Sequence, residues 1–266
     1  MNKEKYLDIV LNYLCEEANV EINSTDLKSK IKLWRELVNK RNVVDIPEAI
    51  LDAEDKFLRL NLLNKKLTNG EELKCVNDLL EIEIKHGDKI CLWKGDITSI
   101  YCDAIVNSCS TDLLGCSIPN HTCLDNAIHS FSGMRLNKKC NIISENNKIN
   151  VSDITVTRAY NLPCDFIIHA CCPSVINKLT KENINDLEKT YFNILECAKS
   201  NLIKVLVIPA LSTGEGKFPM EEAIDIAINV VNKYLDDYDV YFDKIIFNSY
   251  TDDIFDLYEN KIKNID

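Results

Sequence analysis

The stretch Gly115-Cys116-Ser117-Ile118-Pro119-Asn120-His121-Thr122-Cys123 holds two thiols and an imidazole within eight residues. Cys and His are preferred ligands of Zn²⁺, and a short loop containing proline can point all three side chains inward. The spacing is not that of a zinc finger, and no fourth ligand is obvious nearby. Three protein ligands with an open position is the arrangement of a catalytic zinc, which can hold water or substrate. The competing reading is a loop with two buried cysteines and an exposed histidine; spacing alone does not separate the two.

Leu124-Asp125-Asn126-Ala127-Ile128-His129 follows at once and opens a helix. Asp125 falls in the first turn, where the helix dipole favours a carboxylate. The functional reading of Asp125 is a carboxylate close to the metal loop, able to orient water or a ribose hydroxyl. His129, one turn further on, reads as a packing or hydrogen-bonding histidine. A second loop, Pro209-Ala210-Leu211-Ser212-Thr213-Gly214-Glu215-Gly216-Lys217-Phe218-Pro219, leaves a buried strand and enters a helix. Its backbone N–H groups and the helix N-terminus suit phosphate oxygens, although the position of Lys217 is not that of a P-loop. In Lys94-Gly95-Asp96-Ile97-Thr98, Asp96 can accept from an exocyclic amine such as that of adenine. Taken alone, Asp96 reads better as a turn or N-cap aspartate.

The elements that would position these residues fall into two regions. Residues 1–85 read as helical. Leu27, Ile31, Trp34 and Val38 repeat at helical spacing behind the N-cap candidates Ser24, Thr25 and Asp26, and Pro47 opens a second pattern carrying Ile50, Phe57, Leu58 and Leu62. Asn69-Gly70 signals a turn. From residue 86, strand-like runs at 90–93, 104–106, 166–169, 205–208 and 245–247 alternate with helical stretches at about 124–136, 185–198, 221–235 and 253–261. Continuous apolar strands between helices predict a mostly parallel sheet buried on both faces. Ligands of such sheets bind beyond the carboxyl ends of the strands. Four of the 7 glycines, Gly95, Gly115, Gly214 and Gly216, fall in candidate loops there. The polar stretch Ser144 to Asn150 reads as a surface loop.

Composition bounds the function classes. With 46% apolar and 27% charged residues the chain has the mix of a globular protein with a core. The net charge of −11 argues against nonspecific nucleic-acid binding, which needs clustered Lys and Arg. No apolar run approaches the ~20 residues that span a bilayer, and the start lacks the apolar core of a secretory signal. A cytoplasmic location is expected. The 12 cysteines then read mostly as reduced, buried, small hydrophobes rather than a disulfide framework.

In order along the chain, these stretches resemble the macrodomain family, in particular its zinc-containing microbial branch. The resemblance is carried by Leu92 to Thr98, Asp103-Ala104-Ile105-Val106-Asn107, the Cys116–His121–Cys123 loop running into Asp125 to His129, Ala159 to Pro163, Ile168-His169 with Pro173, Leu211 to Gly214 and Phe218-Pro219. It covers about residues 86–262. Leu33 to Arg41 and Asp55 to Leu58 further resemble an N-terminal extension common in that branch. The resemblance implies a helical extension over 1–85 and, over 86–266, a three-layer α/β/α macrodomain with a mixed, mostly parallel sheet. It implies ADP-ribose as ligand. Asp96 and Ile97 would contact adenine, with Asn248 and Tyr250 near its other side. Ser212, Thr213, Gly214, Glu215, Gly216, Lys217 and Phe218 would wrap the diphosphate, and Asn107 would contact the distal ribose. Cys116, His121 and Cys123 would hold zinc near that ribose, with Asn107 and Asp125 as catalytic residues. The implied activity is zinc-dependent removal of mono-ADP-ribose from modified proteins, often opposite a sirtuin-type ADP-ribosyltransferase.

The chain departs from the family pattern at three places. Ser110 stands where a second asparagine often faces the ribose, Gly216 where an aromatic commonly packs over it, and Cys171-Cys172 where a small-residue pair precedes the proline. Ser110 and Gly216 favour the alternative of a non-catalytic reader that binds ADP-ribose without cleaving it.

Overall fold

The computed structural model describes residues 3–23, 26–43 and 45–265. The expected caps Ser24 and Thr25 lie outside the described residues. Along the chain run α1 (Lys3–Ala18), α2 (Leu27–Lys40), α3 (Glu48–Leu62), β1 (Thr68–Asn69), α4 (Val76–Leu80), β2 (Ile90–Lys94), β3 (Ile100–Cys109), α5 (Leu124–Ser132), α6 (Met134–Asn146), β4 (Ile154–Arg158), β5 (Cys164–Cys171), α7 (Lys181–Ser200), β6 (Val205–Pro209), α8 (Met220–Tyr238), β7 (Lys244–Ser249) and α9 (Asp252–Lys263). They form two compact units that are discontinuous in sequence. The first comprises Met1–Lys66, Asp112–Lys148 and Arg158–Leu162, and the second Leu67–Thr111, Ile149–Thr157 and Pro163–Asp266. The sequence division at residue 85/86 thus falls inside the second unit, and α5 and α6 group with α1–α3.

In the second unit, seven strands among the described residues form one sheet in the order β2-β7-β6-β3-β5-β4, with β1 also paired to β3. The pairs β2–β7, β7–β6, β6–β3, β3–β5 and β1–β3 are parallel. A short link joins β4 to β5. Parallel neighbours need a crossover of about a dozen residues, so this pair turns back on itself and the sheet is mixed. The strands β2, β6 and β7 are buried along nearly their whole length, as expected of runs covered on both faces. α7 and α8 bury apolar stripes against the same core through Leu187, Tyr191, Ile194, Leu195, Ile224 and Val231. Thr180 and Asn183 form a reciprocal capping box that starts α7. The sequence reading omitted β4, whose Ile154-Thr155-Val156-Thr157 alternation is short and only half-buried.

In the first unit, Leu7, Leu11, Trp34, Leu37, Leu51, Phe57 and Met134 make a separate core. Asp26 caps α2 by accepting from Ser29 N at 3.0 Å. The single helix expected over 124–136 is two helices. Gly133, at φ +98°, ends α5, and a Cβ there would come within 3.0 Å of Glu54 Oε2 and of Leu58 Cδ1. α6 then runs to Asn146, so the first part of the expected loop at Ser144–Asn150 is helical. Among the described residues, no helix is long and apolar enough to cross a membrane.

Glu54 is a buried carboxylate in this core. It accepts from Trp34 Nε1 at 3.0 Å and from Met134 N at 2.6 Å, and burial pushes its pKa up to about 7 against these two donors. A carboxyl whose folded value lies above its unfolded value favours folding when protonated. The Glu54 contribution is therefore full below about pH 4.5 and is lost as pH rises toward 7, a change of about 3 kcal/mol. Urea unfolding of wild type and Glu54→Gln at pH 5 and 7.5 should show that the difference in stability between the two proteins changes with pH in this sense. A difference independent of pH would contradict the assignment.

Candidate functional site

Five parallel strands place their carboxyl ends along one edge of the second unit, and most of the nominated residues stand there. After β2, Asp96 caps the 3-10 turn Ile97–Ser99: its Oδ1 accepts from Thr98 N at 2.9 Å and Thr98 Oγ1 at 2.7 Å. The turn role read for Asp96 is thus present. Ile97 is buried beside it. At the end of the neighbouring β7, Asn248 is buried and spends its amide on backbone, donating to Gly95 O at 3.1 Å and Trp93 O at 3.4 Å. Asn248 therefore ties the Asp96 loop to β7. Tyr250, just beyond, is 74% exposed.

The loop between β6 and α8 is folded on itself. Ser212 and Lys217 adopt positive φ of 63° and 52°. Phe218 N donates to Ser212 O at 3.0 Å, Lys217 N to Gly214 O at 2.9 Å, and Thr213 Oγ1 to Ala210 O at 2.8 Å. Gly216 is pressed against backbone: a Cβ there would stand 2.6 Å from Ser212 O and 3.2 Å from Pro173 O. Its carbonyl accepts from Val175 N at 2.7 Å, joining this loop to the one after β5. Gly214 is the opposite case, exposed, and a Cβ there would meet nothing within 4 Å. Glu215 and Lys217 are exposed and Phe218 is buried.

On β3, Asn107 pairs in register with His169 of β5 and is wholly buried. Its Nδ2 lies 3.3 Å from His169 Nδ1, and His169 Nε2 lies 2.9 Å from Thr157 Oγ1. If the Asn107 amide donates, the ring carries its proton on Nε2 and donates to the threonine. Ser110 is exposed, and its carbonyl lies 3.6 Å from Cys171 Sγ. Burial pushes the Cys172 thiol up to about 12, partly offset by the Ser108 and Ser212 hydroxyls. Cys172 is therefore a neutral thiol at physiological pH, not a nucleophile.

The Cys116–Cys123 loop belongs to the first unit. One ligand atom from each of Cys116, His121 and Cys123 lies within 4.8 Å of the others. Cys116 Sγ is 3.4 Å from His121 Nδ1. Ligand atoms around tetrahedral zinc stand about 3.5 Å apart for bonds of this length, so the donor set and its spacing fit that ion. Burial pushes the Cys123 thiol up to about 12, and the neighbouring Cys116 raises it further. Gly115, at φ +80°, closes on His129: a Cβ would meet the ring at 2.7 Å. Asp125 sits in the first turn of α5, with its Oδ1 3.5 Å from His129 Nε2. His129 is buried, and its Nδ1 lies 2.6 Å from Asn137 Oδ1.

A protein-ADP-ribose hydrolase of Staphylococcus aureus (strain MSSA476) is 32% identical over 259 residues, spanning 94% of this chain and 93% of its own length. The family description Macro domain matches residues 106–227. The chain belongs to the macrodomain family. A protein-ADP-ribose hydrolase of Treponema medium is 30% identical, covering 87% of this chain and 88% of its own. Among solved structures, the Trypanosoma brucei macrodomain in complex with ADP-ribose superposes with a TM-score of 0.65 at 25% identity, over 86% of this chain and 94% of that one.

Within this macrodomain, Asp96, Ile97, Asn107, Ser212–Phe218, Asn248 and Tyr250 lie in the second unit, and Cys116, His121, Cys123 and Asp125 in the first. Local sequence pattern does not show what holds the Cys116–Cys123 loop. Asn126 is fully buried, donates to Cys116 O and Ile118 O at 3.0 Å each, and accepts from Arg35 of α2. Asn126 sat in the helix motif and Arg35 in the extension, but no spacing rule links residues 91 positions apart.

Proposed function

We propose that this protein binds ADP-ribose and hydrolytically removes mono-ADP-ribose from modified proteins, with zinc held by Cys116, His121 and Cys123. The observation that carries the binding half is the order of the strand ends. Read across β2, β7, β6 and β3, the nominated residues come as Asp96 and Ile97, then Asn248 and Tyr250, then Ser212–Phe218, then Asn107. That is the order adenine, diphosphate, distal ribose. Three strand steps span about 14 Å, a distance suited to an extended nucleoside-diphosphate sugar. The hydrolase names of relatives that match nearly the whole chain support the catalytic half.

In this reading the folded Ser212–Phe218 loop offers backbone N–H groups ahead of α8 to the diphosphate. Asn107 and Asp125 position the ribose and the attacking water. Asn107 is held by His169 at 3.3 Å, so it has little freedom left to lose on binding; His129 Nε2 lies 3.5 Å from Asp125 Oδ1. Zinc, when bound, would supply Lewis acidity toward an oxygen and a lowered pKa for bound water.

Two measurements on one preparation test the proposal: calorimetry with ADP-ribose, and release of ADP-ribose from a modified protein. Binding with turnover supports a hydrolase; binding without product supports the reader favoured by Ser110 and Gly216; no binding contradicts both. Asp96 gives a sharper check of the adenine assignment. Asp96→Asn keeps an oxygen for the Thr98 cap but removes the charge-assisted acceptor, worth about 1.5–3 kcal/mol. The melting point should hold while ADP-ribose affinity falls by about tenfold to a hundredfold. Unchanged affinity would leave Asp96 as a turn residue only.

A further inference from the structure

The metal loop has an external brace, and its source is the N-terminal helix α2. Arg35 Nη2 donates to Asn126 Oδ1 at 2.6 Å and to His121 O at 2.8 Å, while Arg35 Nε donates to the same Asn126 oxygen at 3.0 Å. Asn126 passes the constraint on. Its Nδ2 holds Cys116 O and Ile118 O, and its backbone N–H meets Cys123 Sγ at 3.4 Å. One turn further along α2, Asn39 Oδ1 accepts from Asn120 N at 3.0 Å and Asn39 Nδ2 donates to Ser130 Oγ at 3.0 Å. The backbones of two ligands, Cys116 and His121, and the sulfur of the third, Cys123, are therefore all tied to one guanidinium or to the asparagine it holds, the sulfur through that residue's backbone N–H. The Arg35 guanidinium also lies 5.4 Å from the centre of the Phe131 ring, which helps to fix its plane.

We infer that Arg35, acting through Asn126 and aided by Asn39, is a positioning residue for the metal ligands, and that the N-terminal helical extension serves to set metal affinity. This rests on the reading of Cys116, His121 and Cys123 as a metal site. The physical argument is preorganisation. Cys116, His121 and Cys123 lie on a loop rather than on a helix or strand, and a loop left to itself samples many ligand geometries. Hydrogen bonds to loop carbonyls select the one in which three donors converge. A planar fork is suited to this task, because it can serve an amide oxygen and a carbonyl together; a lysine ammonium in its place has no fixed geometry.

The test is zinc affinity of the full-length protein, measured by competition with a chromophoric chelator, for wild type, Arg35→Ala, Arg35→Lys, Asn39→Ala and Leu37→Ala. Leu37 is buried on the same helix in the N-terminal core, so Leu37→Ala loosens α2 without touching the brace. Arg35→Ala is expected to weaken zinc binding by roughly 10–100-fold, the range seen when outer-shell partners of metal ligands are lost. Arg35→Lys and Asn39→Ala should fall between that variant and wild type and keep the proposal testable if Arg35→Ala does not fold. Leu37→Ala should melt earlier yet bind zinc as wild type does. Wild-type affinity in the Arg35 variants, or an equal loss in Leu37→Ala, would overturn the inference while leaving the metal reading intact. A wild-type protein that takes up no zinc would overturn both.

Discussion

Cys116→Ala is expected to yield protein without zinc and to reduce release of ADP-ribose by more than the roughly 10–100-fold typical of losing an outer-shell partner. The loop brings three donors within 4.8 Å, and removing one leaves two. Two ligands on a half-exposed loop cannot hold the ion against water. Cys123 compounds the loss, because burial holds it as a neutral thiol and only a firmly bound cation would displace its proton. Mass spectrometry of native protein reads the zinc, and turnover on a modified protein reads the chemistry. Thermal unfolding with and without chelator separates a third reading, in which zinc only staples the loop. On that reading metal loss lowers the melting point and the folded remainder still turns over. Robust turnover by metal-free Cys116→Ala would remove zinc from the mechanism.

The two glycines of the β6–α8 loop should respond in opposite ways. Gly216→Ala places a methyl 2.6 Å from one backbone oxygen and 3.2 Å from another. Neither can swing aside as a side-chain tip could, so the loop must shift, at a cost of about 1–3 kcal/mol. The same shift breaks the Val175 N to Gly216 O link, and ADP-ribose affinity should fall along with the melting point. An aromatic side chain at this position requires a different loop path. Gly214→Ala meets no protein atom within 4 Å. Its stability should be unchanged or higher by about 0.4–1 kcal/mol through a stiffer unfolded chain. If the diphosphate lies against this backbone, the added methyl occupies ligand space, and affinity should drop by at least about tenfold, or 1.4 kcal/mol. Calorimetry beside thermal unfolding reads both variants. A Gly214→Ala protein that binds ADP-ribose as wild type does would place the diphosphate elsewhere.

What was legible in the sequence was the part written in local pattern. The buried strands β2, β6 and β7 are continuous apolar runs, and the helices α7, α8 and α9 show clear 3.6-residue stripes, so their positions follow from side-chain chemistry alone. The convergence of Cys116, His121 and Cys123 was legible for the same reason, since all three lie within one loop. β4 was not, because a short half-buried strand has little apolar contrast, and the α5–α6 break was not, because Gly133 is needed for its closeness to Glu54 and Leu58, residues far away in sequence. The grouping of α5 and α6 with the N-terminal helices arises from packing, to which Met134 contributes. The bracing of the loop by Arg35 and Asn126 is likewise a product of tertiary structure. Asn107 shows the limit from the other side: the motif marks the residue, but its burial and its contact with His169 follow from the β3–β5 register.

The most direct test is release of ADP-ribose from a mono-ADP-ribosylated protein by one preparation in three states: as purified, stripped of metal by chelator, and stripped then restored with zinc. Free ADP-ribose is quantified over time, and a melting curve of the stripped sample verifies that it is folded. Release by the first and third states and little by the second is the predicted result. Equal release in all three, or none in any despite tight ADP-ribose binding, would contradict zinc-dependent hydrolysis.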